Sequence, residues 1–449
     1  MGRLFGTDGV RGIANTELTC ELAMNLGRAA AIVLTEETHH RPKIIIGKDT
    51  RISSDMLEAS MVAGICSVGA DALVLGVVPT PAVAYLVKKL GADAGVMISA
   101  SHNPSEYNGI KIFNGSGYKL SDSLEEKIEK IVLDNAEDIP RKAGAGVGRV
   151  IKPKTAVEEY IKYLRETIEG SLSGLRVAVD CANGSASVIA PRLFKETDGE
   201  FEIINANPDG ININDRCGST DIAHLSAVVR DNGCDIGIAF DGDADRCLAV
   251  DEKGNLIDGD RLIAIFAASF KKHNRLKSNA AVVTVMSNFG FFRFAEKYGI
   301  DVVTTKVGDR YVLEEMMNGG YCIGGENSGH IIFLDHATTG DGELSALQLL
   351  AILKRSGKKA SELAKIMECY PQVMVNVTVS GYDSAAILAE RDVKSAIKLA
   401  EGELADDGRV VVRASGTEPL IRVMVEGKSQ SVIDKLAQDI ASAIEGHLQ

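Results

Sequence analysis

The sequence predicts an α/β protein of three similar units followed by a smaller α+β domain. Two observations carry this. Short β-branched runs at residues 43–47, 176–179, 235–240, 281–285 and 302–304 end near Gly, Asp or Asn, as buried strands of a largely parallel sheet do, and helical stretches lie between them. The tail then changes to an alternating pattern.

Residues 55–68 place Leu57, Met61, Ile65 and Val68 at helical spacing, and residues 122–134 place Leu124, Ile128 and Ile131 on one face. A strand, a small polar loop and a following helix are read at residues 96–104, 179–187 and 283–291, which suggests the three related units. In the tail, residues 409–413 and 421–427 alternate like a hairpin around a central loop. Val432, Leu436, Ile440, Ile444 and Leu448 then mark one face of a terminal helix. A Gly/Lys-rich stretch at 141–154, a turn at 252–255 and the region around Tyr370–Pro371 divide the chain into domains 1–153, 154–253, 254–367 and 368–449.

A chain of 449 residues is long enough for about three domains. Its net charge of −13 argues against a broad nucleic-acid or anionic-membrane surface, yet leaves room for a local basic pocket. No apolar run approaches the ~18 residues that span a bilayer. The eight cysteines are scattered without a C-x-x-C pair, which fits a reducing compartment better than a disulfide framework or a zinc site. The opening MGRLFGTDGVRG lacks the apolar core of a signal peptide, so the expectation is a cytoplasmic protein.

The sharpest local signal is Asp241-Gly-Asp243-Ala-Asp245-Arg246, three carboxylates at alternate positions directly after an apolar run. Three like charges in one loop repel unless a cation neutralises them, and oxygen-only ligands suit a hard ion such as Mg²⁺ or Ca²⁺. A solvated acidic loop is the plain alternative. An EF-hand would place Glu252 at position twelve, but its sixth position needs Gly and holds Arg246. Asp241 as an aspartyl nucleophile lacks a supporting pattern in Arg246-Cys247-Leu248.

Ser99-Ala-Ser101-His102-Asn103-Pro104, followed by Lys111, reads either as a serine-presenting loop or as a Ser/Asn/Pro turn. Gly324-Gly-Glu326-Asn327-Ser328-Gly-His330 suits sugar hydroxyls, with a polar turn as an equal competitor. Arg413, Ser415, Gly416, Thr417 and Arg422 frame one hairpin loop with the chemistry of a phosphate cradle. Arg11, in FGTDGVRG, and Gly308-Asp309-Arg310, in KVGDR, are more ordinary taken singly.

Taken in order, FGTDGVRG, SASHNP, DGDADR, KVGDR, GENSGH and RASGTEPLIR resemble the α-D-phosphohexomutase family from Phe5 to Arg422, nearly the whole chain. The resemblance implies four domains around a central cleft: three related α/β domains with mixed, mostly parallel sheets, and a C-terminal α+β domain. It implies Ser101 as the phosphoryl carrier, with Asp241, Asp243, Asp245 and the Ser101 phosphate holding one Mg²⁺. Lys111, His330 and Arg11 take proton-transfer and charge-stabilising roles. His102, Arg246, Gly308, Asp309, Arg310, Glu326 and Ser328 line the substrate, and the hairpin cradle holds the phosphate that is not being transferred.

FGTDGVRG, the Ser-Ala form of the serine loop and Thr284-Val-Met-Ser-Asn resemble the amino-sugar branch, although Asn327 stands where that branch usually has Gln. The implied reaction interconverts glucosamine 6-phosphate and glucosamine 1-phosphate through a phosphoserine and glucosamine 1,6-bisphosphate, supplying cell-wall precursors. The partners implied are hexosamine phosphates, not nucleic acid or membrane, with a homodimer left open. Alternatives are a glucose- or mannose-phosphate mutase, an Mg²⁺-dependent sugar-phosphate binding module, or a phosphatase using Asp241.

Overall fold

The computed structural model describes residues 3–6, 8–36, 38–134, 139–415 and 419–448. The chain divides into two compact units, one of Met1–Thr284 with Val303–Lys365 and one of Val285–Val302 with Ile366–Gln449.

The first sheet is built from β1 (Val10–Ile13), β2 (Lys43–Lys48), β3 (Asp71–Val77), β4 (Ala94–Ile98), β5 (Tyr107–Asn114) and β6 (Val150–Ile151), in the order β1-β5-β4-β2-β3-β6. The second holds β7 (Arg176–Asp180), β8 (Glu200–Ile204), β9 (Ile236–Phe240), β10 (Cys247–Asp251) and β11 (Leu256–Ile257), in the order β11-β10-β9-β7-β8. The third holds β12 (Ala280–Thr284), β13 (Asp301–Thr305), β14 (Ile323–Gly325) and β15 (Ile331–Phe333), in the order β13-β12-β14-β15.

One plan underlies all three. A strand (β2, β7, β12), a helix, a second strand (β3, β8, β13), a second helix and a third strand (β4, β9, β14) are followed by a loop and an antiparallel return (β5, β10, β15). The central strands β2, β4, β7, β9, β12 and β14 are buried because each is a short apolar run covered by helices, whereas the outer β8 and β13 are partly exposed. The α/β reading is therefore borne out, with mixed sheets whose centres are parallel.

One expectation is corrected. The loop after residue 98 leads into β5, not a helix, because Ile110, Ile112 and Phe113 favour the pleat over a helical turn. Residues 96–104 thus correspond to the hairpin corners of the later repeats, whereas 179–187 and 283–291 correspond to their first strands.

Helices Cys20–Leu34 and Ile52–Ser67 pack closely on the first sheet, where Leu26, Leu57, Met61 and Ile65 join Ile44, Ile46 and Ile98 in one buried cluster. A Cβ at Gly64 would fall 2.2 Å from the Met24 carbonyl oxygen, so glycine sets that approach.

The second unit contains an antiparallel sheet of β16 (Gln372–Thr378), β17 (Gly408–Ala414) and β18 (Leu420–Gly427), ordered β16-β18-β17. Helix Gln430–Glu445 buries Ile433, Leu436, Ile440 and Ile444 against it. The buried stripe starts at Ile433 rather than Val432, and Leu448 lies beyond the helix. No helix among the described residues is long and apolar enough to cross a membrane.

Candidate active site

Three polar loops occupy the equivalent corner of the three repeats: residues 99–106 between β4 and β5, 241–246 between β9 and β10, and 326–330 between β14 and β15. The first two meet. Ser101 Oγ donates to Asp241 Oδ2 at 2.5 Å, both groups being almost wholly buried.

Ser101 holds a left-handed backbone (φ 53°), a conformation that persists only when the surroundings enforce it. The enforcement is visible. Arg51, ion-paired with Asp49 in the interior, donates to the carbonyls of Ser101 (3.2 Å) and Asn103 (2.6 Å). Asn214, from the second repeat, donates to the same two carbonyls at 2.9 and 3.1 Å. The Ser101 amide donates to Ser99 Oγ at 2.9 Å.

Asp241, Asp243 and Asp245 each bring a carboxylate oxygen within 4.8 Å of the others, and all three side chains are buried. Burial, with Asp245 and Asp243 adding to it, pushes the Asp241 carboxyl well above the ordinary range. Asp245 is held below that range because Lys111, His330 and Arg246 outweigh its burial. One oxygen of Asp243 and one of Asp245 are buried without a hydrogen-bond partner. A divalent cation fits this donor set: all ligands are hard oxygens, two are orphaned, and the third ionises only at a cost.

Positive charge converges on the same place. Lys111 Nζ donates to Asp243 (2.8 Å) and Asp245 (3.0 Å) and lies 3.2 Å from Asp8. Burial works against this ammonium, yet Asp243, Asp245 and Asp8 hold its pKa well above normal. Arg11 pairs with Asp8 and reaches Asn103 Oδ1 at 3.3 Å. The His102 ring stands 3.4 Å from Ser101 Oγ, and burial, with Arg246 and Arg11 adding to it, lowers its pKa to about 4.

The second and third repeats meet where the backbones of Arg246 and His330 form a β-bridge, and His330 Nε2 lies 3.4 Å from Asp309. Glu326 accepts from the Gly308 amide at 3.0 Å, and Ser328 Oγ is buried without a hydrogen-bond partner. The Asn327 amide is tied back to Asp260 at 2.9 Å. Arg310 pairs with Asp122, Glu125 and Glu314.

Asp8, Lys119, Arg51 and Asn214 were not singled out by the sequence. Asp8 does sit in the quoted FGTDGVRG run. Lys119 has no local signal, since its partners Asp8 and Asp309 are distant in the chain.

In the second unit, Arg413 and Arg422 are directly opposed on β17 and β18. Like charges in that register repel, and burial with the proximity of Arg422 lowers the Arg413 pKa. The Ser415 amide donates to the Leu420 carbonyl at 2.8 Å. Gly416 and Thr417 lie outside the described residues.

Behind the metal-type loop lies Glu343, fully buried, with no hydrogen-bond partner on either carboxylate oxygen. Burial, then Asp341, holds its carboxyl well above its ordinary 4.5. A raised folded-state pKa means that stability is complete below 4.5 and is lost as pH rises through the higher value. Glu343→Met should therefore raise stability at pH 8 by about 1–3 kcal/mol and by less at pH 5. Denaturant melts at the two pH values check this, and a loss of stability at pH 8 would contradict it.

Models of the phosphoglucomutase/phosphomannomutase family match along the chain: alpha/beta/alpha domain I at residues 2–138, domain II at 158–254, domain III at 258–370 and the C-terminal domain at 374–443. A phosphoglucosamine mutase of Acetivibrio thermocellus is 56% identical over 448 residues, covering 100% of both chains. The crystal structure of a phosphoglucomutase/phosphomannomutase family protein from Burkholderia thailandensis superposes with a TM-score of 0.83 at 23% identity, covering 99% of this chain and 97% of that one. That of Aspergillus fumigatus N-acetylphosphoglucosamine mutase, in complex with GlcNAc-6P and magnesium, gives 0.69 at 20% identity, covering 99% and 96%. With four domain models matched in order and a full-length relative above half identity, the chain belongs to the phosphoglucomutase/phosphomannomutase family, the α-D-phosphohexomutases.

Proposed function

We propose that this chain is a phosphoglucosamine mutase, interconverting glucosamine 6-phosphate and glucosamine 1-phosphate with Ser101 as the phosphoryl carrier. The observation that carries the reading is the buried contact of Ser101 Oγ with Asp241, inside a cluster of three carboxylates. The 56% identity to a phosphoglucosamine mutase over the full chain supports the amino-sugar choice.

The phosphoryl group on Ser101 passes to the free C1 hydroxyl of glucosamine 6-phosphate. The Ser101 O–P bond breaks, the new C1 O–P bond forms, and the hydroxyl proton leaves to a base. Ser101 Oγ takes up a proton, the 1,6-bisphosphate turns over, and Ser101 Oγ then gives its proton to a base and bonds the 6-phosphoryl group; the O6–P bond breaks and O6 takes a proton as glucosamine 1-phosphate leaves. Asp241, Asp243, Asp245 and the phosphate on Ser101 would hold Mg²⁺, which when bound offsets their charge and polarises a phosphoryl oxygen.

Lys111, Arg11 and Arg246 supply positive charge where the transferring phosphoryl needs it, since such reactions gain mostly from positioning and electrostatics. Lys111 carries a firmly held proton in this arrangement, so its first role is charge stabilisation, with His330 the second candidate for proton transfer. Glu326 and Ser328 are assigned to the sugar hydroxyls, with His102, Gly308, Asp309 and Arg310 flanking the substrate. Arg413, Ser415, Gly416, Thr417 and Arg422 are assigned to the phosphate that is not being transferred, and the repulsion of the opposed arginines favours an anion there. The domains remain at 1–153, 154–253, 254–367 and 368–449. A cytoplasmic setting suits eight free thiols.

Phosphorus NMR of the purified protein with Mg²⁺ and glucosamine, glucose or mannose 6-phosphate tests the reading. Exchange of glucosamine 6-phosphate with the 1-phosphate should be favoured at least ~10-fold in kcat/KM. Preference for glucose or mannose phosphates would overturn the sugar choice, and net release of inorganic phosphate would overturn the mutase.

A further inference from the structure

A turn of the first repeat reaches into the third. Residues 115–120 follow β5; Asn114 closes the turn locally, and Gly117, Tyr118 and Lys119 also make long-range contacts. Tyr118 packs against the third-repeat cluster of Val282, Val312, Leu313, Met316 and Ile332. Thr338 Oγ1 donates to the Gly117 carbonyl. Between these contacts, Lys119 Nζ donates to Asp309 Oδ2 at 2.5 Å and pairs with Asp8. Its side chain is 13% exposed, so the bridge is largely shielded from water.

The bridge joins two halves of the candidate site. Asp8 lies 3.2 Å from Lys111, which bonds Asp243 and Asp245. Asp309 lies 3.4 Å from His330, which ends the loop carrying Glu326 and Ser328. Charges alternate without a break from Asp309 through Lys119, Asp8 and Lys111 to the aspartate cluster. A partly buried chain of this kind is strong only when every member is paired, and removing its central cation leaves two carboxylates facing each other.

We propose that Lys119 is a positioning residue, tying the sugar-recognition loop of the third repeat to the phosphoserine face so that a bisphosphate intermediate turns within the site without escaping. The inference rests on the mutase reading. It assigns to Lys119 no contact with the reacting atoms, only control of the register between the two loops through Asp8 and Asp309.

The test uses the full-length, phosphorylated protein. For Lys119→Met, the bisphosphate should escape between half-reactions, leaving Ser101 without its phosphate. Intact-mass measurement after turnover should then show most of the phosphate lost, kcat should fall at least tenfold without added glucose 1,6-bisphosphate, and addition of that compound should restore most of the rate. Lys119→Arg, which keeps a cation between the two aspartates, should hold kcat within threefold of the parent.

Lys119→Met/Asp309→Asn removes the opposed charges, so it covers the case in which the single variant fails to fold, and it should leak in the same way. The inference is overturned if the folded Met variant, or the folded double variant, keeps its phosphoserine through turnover and its kcat within twofold. It is also overturned if Arg fails to restore what Met loses. Failure of the mutase reading is separate: the parent protein would then show no sugar-phosphate exchange at all.

Discussion

Ser101→Ala should lower sugar-phosphate interconversion by at least ~10³-fold, because a mutase without its phosphoryl carrier has no second nucleophile to store the group. Folding should survive. Position 101 already pays for its left-handed backbone, and alanine carries the same Cβ, so the local strain does not change. The lost hydrogen bond to Asp241 leaves a buried carboxyl oxygen without its hydroxyl donor, a cost of about 1–3 kcal/mol. Ser101→Gly separates chemistry from stability more cleanly, since glycine relieves about 1–2 kcal/mol of left-handed strain while also deleting the hydroxyl. Both variants should be equally inactive and differ in melting temperature, with glycine the higher. The measurements are kcat/KM, a thermal melt and intact mass after incubation with glucose 1,6-bisphosphate, in which neither variant should gain a phosphate. Activity above a tenth of the parent in either would remove Ser101 from the mechanism.

The parts of this protein that the sequence makes legible are those whose cause is local. Apolar runs 43–47 and 235–240 lie within a residue of strands β2 and β9, because length and β-branching settle a buried strand. The aspartate loop announces itself through charge density alone. Phase within the repeat was not legible. A polar loop after a strand looks alike whether a helix or a strand comes next, so pattern alone aligns residues 96–104 with the wrong corner of the later repeats. Arg310 shows a different limit. The resemblance implies that it lines the substrate, but three carboxylates, from Asp122, Glu125 and Glu314, surround its cation. Lys119 is the extreme case, since nothing around it in the chain hints at Asp309, and only the packing of one repeat on another brings them together. Long-range ion pairs carry no sequence period, which is why they escape a reading built on spacing.

Asp243→Asn should lower kcat/KM by about 10²–10³-fold and weaken the response to Mg²⁺ more than it weakens the fold. One Asp243 oxygen accepts from Thr80 Oγ1 at 2.5 Å and from Lys111 at 2.8 Å, while the other is buried without a hydrogen-bond partner. An asparagine keeps the shape and an acceptor for Thr80, so the link between the 241–246 loop and helix Thr80–Lys89 persists. It removes one of the two neighbouring charges that push Asp241 up, and it removes the largest attraction holding the proton on Lys111. In the absence of metal these changes oppose each other, and the net effect on stability should be within about 1 kcal/mol. With metal they do not. A ligand that binds only the folded state stabilises it by about 2.7 kcal/mol at a hundred times its Kd. The parent protein should therefore melt several degrees higher in excess Mg²⁺, and Asp243→Asn should show less than half of that gain. Melts with and without Mg²⁺ read the metal independently of turnover. An unchanged Mg²⁺-dependent shift in the variant would mean that the cation, if it binds at all, is held elsewhere, and the three carboxylates would then need a different partner to offset their charge.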